Sequence, residues 1–124
     1  LTFARDNGVE VVTYEDWSQR DGQARIDHFI RSLSADKAAE TYLTFDIDCL
    51  DPSAAPGTGI PEFGGLTSRD VLTLIKSTQD LSLVGLDVVE IAPPLDPSEA
   101  TVFAGLKIIM EYIAVMARKK QQKG

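Results

Sequence analysis

A chain of 124 residues is long enough for one hydrophobic core and too short for two, and its 44% apolar share is ordinary for a globular domain. A formal net charge of −7 excludes nucleic acid as the main partner, because phosphate contacts need a basic face. A single cysteine, Cys49, rules out an intrachain disulfide and suits a reducing compartment. The opening residues Leu1-Thr-Phe-Ala-Arg5-Asp6 hold no long apolar core and no initiator methionine, so the expectation is a piece of a longer protein without a signal peptide.

Strand and helix signals alternate along the chain. Val9 to Tyr14 is rich in β-branched residues and predicts a short strand. Ile26, Phe29, Ile30 and Leu33 recur at i, i+3, i+4, i+7, the period of an amphipathic helix. His28, the only histidine, falls beside that apolar stripe, and with no second histidine it reads as a surface or helix-flank packing residue and not a metal ligand. Thr41 to Phe45 predicts the second strand. A loop from Ile47 to Leu66 follows, carrying three prolines and four glycines; loops of this length inside a small domain are usually functional. Its glycines fit neither a Walker loop nor a dinucleotide fingerprint.

Thr67-Ser-Arg-Asp70 is a near capping box that opens a helix with Val71, Leu74, Ile75 and Thr78 on its inner face. Leu81 to Val89 is almost wholly apolar and predicts a central parallel strand covered on both faces. Asp96-Pro97-Ser98-Glu99 predicts the start of a last helix, with Asp as cap and Pro at the first position, running to about Arg118. That helix is apolar nearly all round, yet Lys107 and Glu111 argue against a membrane span. The basic residues Arg118, Lys119, Lys120 and Lys123 suit its carboxyl end. Three β-α units predict an α/β fold with a parallel sheet, helices on both faces, and ligands at the carboxyl ends of the strands.

The chemistry concentrates at those strand ends. In Thr44-Phe-Asp46-Ile-Asp48, residues two apart on a strand share a face, so both carboxylates would lean over one end of the sheet. Asp87 and Glu90 end another strand. Like charges so close call for a cation or a proton, and four acids suit Mg²⁺ or Mn²⁺ better than a soft metal. Cys49 has no histidine partner and reads as a buried thiol, not a nucleophile.

The run Thr44-Phe-Asp46-Ile-Asp48-Cys-Leu-Asp51-Pro52, then Ala55-Pro-Gly-Thr-Gly-Ile-Pro61-Glu62-Phe-Gly64-Gly65-Leu66-Thr67, resembles a signature of the ureohydrolases, the arginase/agmatinase family. Asp87-Val-Val-Glu90-Ile-Ala-Pro93-Pro94 resembles the family's later glutamate-bearing segment in its agmatinase-like form. The resemblance implies a three-layer α-β-α arginase-like fold of which residues 1–124 form the carboxyl-terminal portion of one domain. It implies Asp46 and Asp48 as ligands of a binuclear Mn²⁺ centre, one of them bridging, and Glu90 as partner of the substrate guanidinium. The implied reaction is hydrolysis of a small guanidino compound, agmatine-like, to urea and an amine. The family's metal-binding histidines, its other aspartate cluster and its general-acid histidine have no counterpart here, and Ile60 stands where a threonine is usual. No complete catalytic set is therefore expected in this chain, and the isolated piece is expected to be inactive.

Family members are commonly trimers or hexamers, so a homo-oligomer is expected, and a cytoplasmic location is favoured over a mitochondrial one. Two alternatives stand beside the enzyme reading. One is a catalytically incomplete fragment whose role is association. The other is a receiver-type signalling domain that binds Mg²⁺, which would need a lysine ending the last strand where Asp87 and Glu90 stand.

Overall fold

The computed structural model describes residues 2–35 and 39–122, and within them all side chains except those of Arg5, Lys120 and Gln122. Lys123 of the basic carboxyl end lies outside the described residues. Seven elements follow in order: α1 (Thr2–Asp6), α2 (Tyr14–Ser18), α3 (Gly22–Ser34), β1 (Thr41–Asp46), α4 (Ser68–Ser77), β2 (Leu83–Val89) and α5 (Ala100–Gln122). Short 3-10 turns follow β1, α4 and β2.

β1 and β2 pair in parallel, with Thr44 beside Asp87 and Asp46 beside Val89. Along β1 the side chains alternate as sequence requires: Phe45 is buried, while Tyr42, Thr44 and Asp46 are exposed. The buried face meets α4 and α5 through Phe45, Leu83, Val71, Ile75, Ile108 and Tyr112. The Tyr112 hydroxyl donates to the Gly85 carbonyl at 2.9 Å, fixing α5 against β2. Thr67 caps α4 with a full capping box, its Oγ1 accepting from the Asp70 amide while the Asp70 carboxylate accepts from the Thr67 amide.

Three expectations are corrected. Residues 9–13 form no strand, and Tyr14 already belongs to a helix. The signal that wins is local: Thr13 and Asp16 make a second capping box, and nothing among the described residues offers the β-branched run a partner strand. β2 begins at Leu83, not Leu81, and among the described residues it is an edge strand with Val84 and Val89 exposed. The last helix begins at Ala100, not Pro97. One Asp96 oxygen accepts from the Ser98 amide and hydroxyl, which closes a separate turn over 97–99. The other accepts from the Thr101 amide and hydroxyl, each at 2.8 Å, and so caps the helix from five residues upstream.

α5 is long and apolar enough, by length and composition, to cross a membrane. In this fold Thr101, Ile108, Tyr112 and Val115, at helical spacing, form a buried stripe on the sheet and α4. Lys107 and Glu111 pair with each other one turn apart on its exposed side.

Candidate metal and guanidinium site

Asp46, Asp48 and Glu90 stand where β1 and β2 end. The strand stops at Asp46, and Asp48 lies in the 3-10 turn Ile47–Cys49. Strand alternation is therefore not what brings the two aspartates together. Asp46 Oδ1 accepts the Asp48 amide at 3.3 Å and caps the turn, folding the second carboxylate back beside the first. Burial raises the Asp48 pKa above the usual carboxylate value, and the negative charge of Asp46, then of Glu90 and Glu62, adds to it. Asp48 thus lies in the field of three other carboxylates, of which Glu62, on the loop, is the one that sequence reasoning missed. A glutamate inside a proline- and glycine-rich loop carries no signal of its own.

Glu90, the residue after β2, has φ = 63°. The left-handed region is unfavourable for a side chain with a Cβ, by roughly 1–2 kcal/mol, and such strain collects at functional positions. Asp87 does not join Glu90. It points from mid-strand across to β1, where it accepts from the Thr44 hydroxyl at 2.6 Å and the Tyr42 hydroxyl at 3.0 Å. The expected second carboxylate pair therefore splits, Asp87 tying the strands together and Glu90 remaining at their end.

The loop over the site is tied at two places. Leu50 pairs with Leu66 in a parallel bridge, and the Leu66 amide donates to the Cys49 carbonyl at 2.8 Å. Gly65 is required there, since a Cβ would stand 2.7 Å from that carbonyl oxygen. Further along, the Gly57 amide donates to Thr101 Oγ1 at 2.7 Å, and the Gly57 carbonyl accepts from the Ala92 amide at 2.8 Å. The loop is thereby fastened to the segment that follows Glu90. The Ser53 hydroxyl, with the Ser53 and Gly64 amides that donate to Asp51, holds its carboxyl below the ordinary range. Between the ties, Ile60 and Phe63 are 75% and 93% exposed.

Burial, with the charges of Asp48 and Asp46, pushes the Cys49 thiol up to about 11, which leaves almost no thiolate at neutral pH. His28 is exposed on α3. Among the described residues, no group of three or more His, Cys, Asp or Glu side chains is placed to hold a metal ion. The carboxylates nonetheless fit one in kind: they are hard oxygen donors in a surplus of negative charge.

The arginase family profile matches residues 1–114, and the chain belongs to that family. It is 43% identical over 121 residues to an agmatinase of Escherichia coli O9:H4 (strain HS), covering 95% of this chain and 38% of the relative. It is 44% identical over 121 residues to an agmatinase of Edwardsiella ictaluri, with the same coverage of both chains. Among solved structures, proclavaminate amidino hydrolase from Streptomyces clavuligerus superposes with a TM-score of 0.86 at 38% identity, over 96% of this chain and 39% of that one. Arginase from Bacillus caldovelox superposes at 0.73 with 28% identity, over 90% and 37%. The fold is α/β with a parallel sheet and arginase-like neighbours, as the motifs led us to expect. The chain spans a little over a third of the length of the curated relatives it matches.

Proposed function

We propose that this chain is the carboxyl-terminal part of an agmatinase-like ureohydrolase that hydrolyses a small guanidino compound to urea and an amine. The observation that carries this reading is Glu90, held in a left-handed backbone conformation beside the acid pair Asp46 and Asp48. In this reading Asp46 and Asp48 would hold two Mn²⁺ ions together with ligands from outside the chain. Such ions, when bound, lower the pKa of water and supply a nucleophile at neutral pH. Glu90 pairs with the guanidinium, whose planar donor fork matches a carboxylate. The loop is fastened to Ala92, two residues after Glu90, which supports a fixed position for that carboxylate. Family relatives named as agmatinases support the substrate class. With two aspartates as its only ligands, the isolated chain would bind Mn²⁺ weakly and release no urea.

The test is urea release from a panel of guanidino compounds by the complete enzyme. Asp46→Asn and Asp48→Asn should each abolish turnover and lower metal content. Glu90→Gln should keep the metal and weaken apparent substrate affinity by about 10- to 100-fold, the worth of a charge-assisted pair. Glu90→Gly should also lose affinity while raising thermal stability, because glycine relieves the strained φ. Unchanged affinity in both Glu90 variants would place that residue outside the pocket and overturn its role.

A further inference from the structure

One face of the β1–β2 ribbon carries Tyr42, Thr44 and Asp46 on β1, with Gly85, Asp87 and Val89 beside them on β2. Asp87 sits in the middle of that face with both carboxylate oxygens engaged. Oδ1 accepts from the Thr44 hydroxyl at 2.6 Å and Oδ2 from the Tyr42 hydroxyl at 3.0 Å. Gly85 makes the second bond possible. A Cβ there would stand 2.6 Å from Tyr42 Cε2 and 2.7 Å from Cδ2, so a larger residue would push the ring off β2 and its hydroxyl away from Asp87. The bond to Asp87 raises the Tyr42 pKa, so the phenol keeps its proton and remains a donor.

A strand tie needs no ionisable group, and a carboxylate on the face that carries Asp46 adds like charge near the strand ends. Among the described residues no Lys, Arg or His pairs with Asp87, and both of its donors are neutral. A carboxylate has about four acceptor sites, so Asp87 can take further donors. Asp46 and Asp87 are diagonal neighbours, one strand across and two residues along, which places their backbones roughly 8 Å apart.

We infer that Asp87 is a positioning residue of the proposed metal centre, accepting the outer N–H of an imidazole that ligates the ion at Asp46 from outside this chain. This rests on the reading of Asp46 and Asp48 as metal ligands. A ligating imidazole almost always passes its second N–H to such an acceptor, which fixes the ring and makes it a better ligand. A carboxylate ligand in that place would bring no donor and more repulsion; a neutral imidazole brings the donor and no charge. Tyr42 and Thr44 hold the acceptor in a set orientation, so the ring is aligned before the ion arrives. Asp87 itself touches neither ion nor substrate.

The experiment titrates Mn²⁺ into the metal-free complete enzyme by calorimetry, with pulsed electron paramagnetic resonance of the loaded form. Asp87→Asn should raise the Mn²⁺ dissociation constant about 10- to 100-fold. Tyr42→Phe, which keeps the ring over Gly85 and removes one donor, should raise it about 2- to 10-fold. The nitrogen coupling of a bound imidazole should be present in the native enzyme and altered in Asp87→Asn. Asp46→Asn is the control for the metal site. Native dissociation constants in Asp87→Asn and Tyr42→Phe beside a loss in Asp46→Asn would overturn the inference and leave the metal reading standing. Native values in all three would overturn both. If Asp87→Asn does not fold, Tyr42→Phe decides alone, and a native value there overturns the inference. A loaded native enzyme without nitrogen coupling would overturn it as well.

Discussion

Asp96 is only 3% exposed, yet it holds its proton poorly. Its hydrogen bonds from the Ser98 hydroxyl, then from the Thr101 amide and hydroxyl, act against the effect of burial and bring its pKa down to about 2. In the unfolded chain the same group titrates near the ordinary value of 3.8. A depressed folded pKa stabilises the fold at all pH values above the unfolded one, and that contribution disappears as pH falls from about 4 toward 2. Asp96→Asn removes the charge and presents an amide to donors that need an acceptor. Thermal melts from pH 6 to pH 2 should show the native chain losing stability below pH 4. The variant should start lower at pH 6 and show a shallower decline in that window. Identical slopes would mean that other carboxylates carry the acid transition.

At the scale of elements, the loop from Ile47 to Leu66 depends on two close approaches of backbone. Gly65→Ala would drive a Cβ to 2.7 Å from the Cys49 carbonyl oxygen and 2.8 Å from the Asp51 amide nitrogen, and main chain cannot swing aside as a side chain can. The expected loss is roughly 1–3 kcal/mol, the usual penalty for overpacking. Gly59→Ala in the same loop meets nothing within 4 Å and should be neutral or slightly stabilising, since alanine restricts the unfolded chain. Denaturant titrations of the two variants side by side check the contrast; similar losses would show that the loop is not fastened at Gly65. These ties are also what the sequence conceals. The helix period over 26–33, the apolar run of β1 and the Thr67 cap were readable because each is a local pattern of a few residues. The Thr13 box was equally local, yet the β-branched run before it suggested a strand, whose formation depends on a partner. Type and spacing pointed to Asp46, Asp48, Asp87 and Glu90 at strand ends, and only the family resemblance singled out Asp46, Asp48 and Glu90. Glu62 in their field, the left-handed backbone of Glu90 and the Gly57 tie to Thr101 arise from residues far apart in sequence, so no window reveals them.

Across the whole molecule, cohesion comes from one side of a two-stranded ribbon. Ile47, wholly buried between the strand ends and the helices, sits at its centre. The ribbon's other face, with Tyr42 and Val89, stays open, as does much of α5, where Phe103, Leu106, Met110 and Ile113 are exposed. Apolar surface of that extent usually marks interaction.

The double fastening of the loop has a consequence for cutting the chain. Phe63 is almost fully exposed between the tie at Gly57 and the bridge at Leu66, whereas Phe103 lies in the helical backbone of α5. A protease that cleaves after aromatic residues should therefore nick internally at Phe63 first, exposed loop tips being the preferred sites. The scission leaves residues on each side anchored to different parts of the fold, Gly57 to Thr101 and Leu66 to Cys49. Limited chymotrypsin digestion should yield two pieces on a denaturing gel that travel as one particle under native conditions, with the helical signal intact. Pieces that drift apart without denaturant would show that the loop's covalent continuity, and not its two fastenings, holds the ends of the strands in place.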